Sequence, residues 1–292
     1  LSRRPMRRFW GWGLESDALS ARERSTIAAM LSVLGARVEE RPVPQVSEFD
    51  LRTPRIAPPP ALAAQFSAAP LDRLNHCAGK SYADCARMWL RAAPSPPDWV
   101  AYPEDEQTVI DILDWAQSHD VAVIPYGGGS SVCGGVEADV GPGYTATVSL
   151  DLERLNRVLE VDLVSRAARI QAGALGPELE GQLKPHGLTL RHFPQSFEFS
   201  TLGGWIVTRS GGHYATQQTH IDDFVEATRL VTPAGVMATR RLPGSGAGPA
   251  PDRLVIGSEG TLGVLTEAWV RLQAVPRFRA SASIQFGDYF AA

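Results

Sequence analysis

The chain has 292 residues, 44% of them hydrophobic, enough for a folded body of two packing units at roughly 150 residues per domain. Lys and Arg number 28 against 32 Asp and Glu, a formal net charge of −4, so there is no broad basic field to hold nucleic acid or an anionic lipid surface. No apolar run reaches the roughly 18 residues of a membrane span, and Leu1–Gly13 has no apolar signal core; a cytoplasmic protein with a small-molecule ligand is the expectation.

Leu1–Pro5 precede Met6 and are set outside the fold. Trp10, Gly11, Trp12 and Gly13 form an aromatic and glycine stretch suited to anchoring the N-terminus or lining a ligand entrance, with anchoring preferred. Ser20 and Glu23 have capping-box spacing, and Ile27, Ala28, Met30, Leu31 and Leu34 then share one face of a short surface helix. Pro54, Pro58, Pro59 and Pro60 favour an extended segment that connects rather than packs. Asn75, His76 and Cys77 read as exposed, and Tyr82, Cys85, Met88 and Trp89 as the inner face of a helix. Gly79-Lys80-Ser81 fails as a triphosphate loop, because Leu74 stands where the pattern requires glycine. Cys77, Cys85 and Cys133 lack paired spacing, which argues against a disulfide framework or a zinc ribbon.

A second proline-rich joint, Ala92–Asp98, marks a domain boundary. After it, Trp99–Tyr102 reads as a strand and Glu104–His119 as a helix with acidic residues in its first turn and Val109, Ile110, Ile112, Leu113 and Ala116 inward. Val121–Tyr126 reads as a second strand that runs into PYGGGSS, Pro125–Ser131. Peptide N–H groups freed from Cβ crowding can converge on the oxygens of a pyrophosphate. Three glycines alone more often make a plain turn, so this motif needs company.

Strands follow at Thr145–Leu150, Val158–Asp162 and Arg169–Ala172, then a helix from Pro177 that stops at Pro185 and Gly187. Glu226–Val231 and Val236–Thr239 flank a turn and read as a hairpin, and Gly244–Pro251 as a loop. Two further runs combine glycine with hydroxyls: FPQSFEFSTLGG at Phe193–Gly204, followed by TRSGG at Thr208–Gly212, and GSEGTLGVL at Gly257–Leu265.

In this order and spacing, PYGGGSS, FPQSFEFSTLGG, TRSGG and GSEGTLGVLTEA resemble the FAD-binding domain of the vanillyl-alcohol-oxidase-type (PCMH-type) flavoproteins. Within them, FWGWG, HCAGKSYADCARMWLR and SFEFSTLGGW resemble the alkyldihydroxyacetonephosphate synthase family. The resemblance implies an α+β fold: an N-terminal helical and extended segment over 1–92, two α/β subdomains of an FAD-binding domain over 93–274, and the start of a truncated cap domain over 275–292. Ala280–Phe286 alternates like the first strand of that cap.

The cofactor implied is FAD. By resemblance, Pro125, Tyr126, Gly127, Gly128, Gly129, Ser130 and Ser131 hold its pyrophosphate. Gln195, Ser196, Phe197, Glu198, Phe199, Ser200 and Thr201, with Gly203 and Gly204 in the same run, line the flavin together with Thr208, Arg209, Ser210 and Gly211. Glu259, Gly260, Thr261, Leu262, Gly263, Val264 and Leu265 meet the adenine end or the ribityl chain. Relatives often carry an acidic residue where Gln195 stands. Ser130 and Ser131 occupy the loop that carries the covalent anchor in berberine-bridge-type enzymes, so FAD is expected to be non-covalent. His220, Asp222 and Asp223 read as a surface turn rather than a metal site.

The function implied is the FAD-binding portion of an alkylglycerone-phosphate synthase-like transferase. Such an enzyme exchanges the acyl chain of acyl-dihydroxyacetone phosphate for a fatty alcohol in ether-lipid synthesis. The alternative is an FAD-linked oxidase or dehydrogenase of a hydroxy acid or alcohol, because the same cofactor loops serve both. A third reading is a flavin-binding module without activity. Catalytic residues are unassigned, this stretch alone is expected to be inactive, and the substrate is lipid-like. Membrane-surface association and a homodimer stay open.

Overall fold

The computed structural model describes residues 4–17, 19–37, 39, 41–213, 218, 220–242, 248–278 and 280–291. At the N-terminal end Ser20 and Glu23 form the expected reciprocal cap on helix α1, Ala21–Val33. None of its residues is buried, and Met30 and Val33 stand exposed at 65% and 87%, so its apolar face is not covered by the described residues.

Strand β1 (Phe66–Ser67), helix α2 (Pro70–Asn75) and helix α3 (Tyr82–Trp89) follow. They surround a small core of Phe9, Phe49, Leu74, Cys77, Ala78 and Met88. Two expectations are corrected here. His76 and Cys77 are buried, because the imidazole is bonded at both ring nitrogens, to the Asp72 carbonyl and to Asp151 Oδ2 at 2.9 Å. Tyr82, placed on the inner helical face from its spacing, is 91% exposed, and Asp84 of the cap is buried instead.

The proline-rich segment is fastened rather than loose. Arg52 and Arg55 both reach the wholly buried Asp98 carboxylate, at 3.2 and 2.7 Å, and Trp99 Nε1 donates to the Ile56 carbonyl. Thr147 N–H donates to the same carboxylate at 2.8 Å. Burial would push Asp98 up, but the bonds from Arg55, Thr147 and Arg52 hold it well below the usual carboxylate range.

β2 (Trp99–Ala101), α4 (Glu106–Ser118), β3 (Val121–Tyr126) and β4 (Ala146–Asp151) form the anticipated βαβ unit. The sheet order is β1-β2-β4-β3, with β2, β4 and β3 parallel. Asp105 caps α4 by accepting from Thr108 N–H, and Val109, Ile112, Leu113 and Ala116 are its buried stripe. All of β4 is buried, as a central parallel strand requires.

The second half adds β5 (Val158–Asp162), β6 (Ala167–Gln171), α5 (Gly176–Leu183), β7 (Leu188–Thr189) and α6 (Leu202–Val207). After these come β8 (Val225–Thr232), β9 (Gly235–Ala238), α7 (Asp252–Val255), β10 (Val264–Arg271) and β11 (Gln273–Ala274). An antiparallel sheet runs in the order β5-β6-β10-β8-β9, and its β8–β9 pair is the expected hairpin. Of the loop read over Gly244–Pro251, residues 244–247 lie outside the described residues.

One core joins the two halves, with Val148 and Leu150 of the first sheet in the same cluster as Ile170, Leu230 and Leu265 of the second. A polar tie reinforces it: Glu106 at the start of α4 accepts from both Arg229 of β8, at 2.7 Å, and Thr266 of β10, at 2.7 Å. The described residues of Ala280–Phe286 form no strand; their alternation has no paired edge on which to become one. Among the described residues, no helix is long and apolar enough to cross a membrane.

Candidate functional site

β3 delivers the chain into the glycine loop. Its last residue, Tyr126, donates its buried phenol to the Asn75 carbonyl at 3.0 Å, and burial pushes that phenol above its ordinary range. Gly129 has φ +61° and lies directly against the Tyr126 hydroxyl, leaving no room for a Cβ. Gly128 lies equally close to the Phe199 carbonyl. The loop is therefore bare partly because the neighbouring chain needs the space. Among the described residues, none accepts a hydrogen bond from the N–H groups of Gly127, Gly128, Gly129, Ser130 or Ser131.

The facing segment is held by its own network. Ser200 Oγ donates to the Ser196 carbonyl at 2.8 Å and accepts from Trp205 Nε1 at 2.6 Å. Thr201 caps α6 by accepting from Gly204 N–H. The Phe197 ring stacks on Trp205, centroids 6.1 Å apart and planes 15° apart.

These elements enclose a cleft of about 260 Å³. All of Pro125–Ser131 lines it, with Ser196, Ser200, Thr201, Gly203, Gly204, Thr208, Ser210, Glu259, Gly260, Gly263 and Leu265. Three separated runs of sequence thus meet around one space, as expected. Neither lysine nor arginine is among the lining residues, so an anion there would be met by peptide N–H groups and hydroxyls.

Nine expected residues stand off the wall. Gln195 and Glu198 are exposed, Thr261 and Leu262 turn outward, and Val264 is buried in β10. Phe197 supports Trp205 from behind, and Phe199 faces Arg7 and Trp12. Arg209 pairs with Asp222 at 3.0 Å, and Gly211 forms a bridge with His220. Asp222 also takes Arg253 at 3.1 Å, so that carboxylate serves two guanidinium groups. No group of three His, Cys, Asp or Glu among the described residues is placed to hold a metal.

Sequence reasoning missed Val132, Cys133, Gly135, Val136, Leu152, Ala172, Trp205 and Val207, which also line the cleft. Trp205 sits in the same run as the identified glycines. Leu152 and Ala172 directly follow β4 and β6, strands of different sheets, and only the packing of the two sheets brings them here.

Behind this wall His192 is buried, in contact with the rings of Trp205 and Phe224 at 5.2 and 5.9 Å, with Nε2 3.3 Å from Ser210 Oγ. Burial, then the charge of His220, lowers its pKa to about 4, so the ring is neutral at pH 7.

The donor set suits a dinucleotide: a run of N–H groups unbonded among the described residues for a pyrophosphate, hydroxyls beside it, and an apolar wall of Leu152, Ala172, Val207 and Leu265 for a flat ring. Residues 97–239 match a family model described as an FAD binding domain. An alkyldihydroxyacetonephosphate synthase of Dictyostelium discoideum is 42% identical over 207 residues, 71% of this chain and 34% of that protein. The mitochondrial D-lactate dehydrogenase [cytochrome] of Arabidopsis thaliana is 33% identical over 192 residues, 65% of this chain and 33% of that protein. A solved structure of an alkyldihydroxyacetonephosphate synthase superposes with a TM-score of 0.82 at 32% identity, covering 93% of this chain and 54% of that one. The chain thus spans about a third of the length of the curated relatives it matches.

Proposed function

We propose, from the premise that this chain belongs to the FAD-binding flavoproteins allied to alkyldihydroxyacetonephosphate synthase, that it is the cofactor-binding portion of such a synthase. The whole enzyme exchanges the acyl chain of acyl-dihydroxyacetone phosphate for a fatty alcohol. The observation that carries the cofactor assignment is the run of N–H groups from Gly127 to Ser131 along the cleft, none of which is bonded among the described residues.

On this reading Gly127–Ser131 bind the pyrophosphate, while Ser196, Ser200, Thr201, Gly203, Gly204, Thr208 and Ser210 border the flavin. Glu259, Gly260, Gly263 and Leu265 meet the adenine or ribityl end. When bound, FAD supplies the electron-accepting ring chemistry, and the protein supplies its position and its dry surroundings. The Ser196–Ser200–Trp205 bonds hold the flavin segment in one conformation, and the Phe197–Trp205 stack excludes water from behind it. FAD is held non-covalently.

The substrate is a lipid-like small molecule, and the exposed apolar surface is open to a membrane surface or to a second copy of the chain. Exposed apolar side chains such as Met30 and Val33 of α1 support such contacts. Similarity to the D-lactate dehydrogenase supports the second reading, an oxidoreductase of a hydroxy acid. Anaerobic mixing of the FAD-loaded protein, in a chain as long as the synthase relatives, separates the two. Chain exchange from acyl-dihydroxyacetone phosphate without net flavin bleaching supports the synthase; bleaching by a 2-hydroxy acid supports the oxidoreductase.

A further inference from the structure

Residues 6–15 fold back on themselves: Arg7 and Leu14 form a β-bridge, Arg8 N–H donates to the Gly13 carbonyl and Glu15 N–H to the Met6 carbonyl. This small hairpin lies across the outside of the cofactor loops. Arg7 Nη1 donates to the Gly128 carbonyl and, at 3.0 Å, to the Phe199 carbonyl, so one guanidinium bridges the glycine loop and the flavin segment. Its carbon lies 5.5 Å from the centre of the Phe199 ring, and Trp12 meets the same ring edge-on at 6.0 Å.

A second fastening runs through Lys80. Its ammonium donates to the Arg8 and Phe9 carbonyls, both at 3.1 Å, and its own carbonyl accepts from Trp12 Nε1 at 3.0 Å. Lys80 N–H donates to the Ser131 carbonyl at 2.7 Å, and Gly79 lies against the same oxygen too closely for a Cβ. The hairpin therefore touches both ends of the 128–131 loop, directly at Gly128 and through Lys80 at Ser131. Phe9 is anchored in the small core, edge-on to Phe49 at 5.6 Å, which makes the hairpin a rigid support.

Arg7 does not line the cleft; it lines a separate cavity of about 140 Å³ on the far side of the loop, with Asn75, His76 and Asp151. It therefore makes no direct contact with a ligand in the cleft, but it holds the carbonyls of the loop that would. Fixing the Gly128 and Ser131 carbonyls outward leaves the loop's N–H groups free for the cleft, which is preorganisation of an anion cradle.

We propose that the hairpin of residues 6–15 is a brace that sets the shape of the pyrophosphate loop, with Arg7 as its principal positioning residue. The inference rests on the cofactor reading above only for the identity of the ligand. The brace itself is a statement about the loop.

The test uses the full chain and compares wild type with Arg7→Met, Arg7→Lys and Lys80→Met. Loop exchange is read at the Lys80 N–H, which is bonded to the Ser131 carbonyl, with the amides of α4 as reference, and FAD affinity is followed by quenching of flavin fluorescence. Arg7→Met is expected to speed exchange in the loop at least tenfold with α4 unchanged, and to weaken FAD by at least tenfold. Arg7→Lys reaches only one carbonyl well and falls between Arg7→Met and wild type. Lys80→Met shows the same pattern more weakly, and stands in for Arg7→Met if that variant does not fold. Loop exchange unchanged in the variants, or raised equally in α4, overturns the brace. Loop exchange raised selectively, in a protein whose wild type binds no FAD, supports the brace and overturns the cofactor reading instead.

Discussion

Gly128 sits so close to the carbonyl oxygen of Phe199 that a Cβ built on it would overlap that atom. The glycine loop and the flavin segment are thus one packed unit, and the approach that shapes the cleft is made by protein atoms. Gly128→Ala is expected to push the loop away, costing about 1–3 kcal/mol of stability and weakening FAD at least tenfold. Gly181→Ala in α5, where a Cβ meets nothing within 4 Å, is the control and should be neutral or slightly stabilising. Thermal melts with and without FAD check both.

Asp98 is the hub that fastens the proline-rich segment to the first sheet. Asp98→Asn leaves Arg52 and Arg55 facing an amide, and a loss of about 2–3 kcal/mol is expected. That is below the cost at a fully buried pair, because both arginines reach solvent. The folded carboxyl is depressed, so its contribution is complete above the unfolded value and is lost as pH falls through the folded one. Urea midpoints of wild type and variant should therefore differ most at pH 7, still differ clearly at pH 3, and converge only at lower pH.

His192 predicts a separate acid sensitivity. Its folded pKa of about 4 lies below that of a free imidazole, so the unfolded chain binds the extra proton first as pH drops. Stability tied to this residue is complete above about pH 6.5 and declines toward pH 4, at up to about 1.4 kcal/mol per pH unit. His192→Leu should flatten the wild-type slope between pH 6.5 and 4.5 in denaturant titrations, whatever its effect on absolute stability.

The βαβ unit around α4, the hairpin of β8 and β9 and the three glycine-and-hydroxyl runs were legible because local patterns carry them: helical spacing, alternation, and residues tolerant of tight turns. His76 was not, since an isolated histidine reads as polar surface until Asp151, 75 positions away in sequence, supplies its partner. Arg4, set outside the fold from its position ahead of Met6, pairs with Glu178 at 2.6 Å and donates to the Gly173 carbonyl, long-range contacts that no local pattern announces. Helix α1 and its cap were anticipated correctly, but spacing does not reveal whether a partner covers its apolar residues. At the site, the backbone runs were found and the wall between them was missed, because Leu152 and Ala172 become neighbours only when β4 and β6 reach the same end of the cleft.

The central claim is tested most directly by the visible absorbance spectrum of the purified protein, taken before and after acid precipitation, with the released cofactor identified by mass. Flavin bands that pass into the supernatant as intact FAD are the predicted result. Protein that is colourless and takes up no added FAD, or flavin that stays with the precipitate, would contradict non-covalent FAD binding at the Gly127–Ser131 loop.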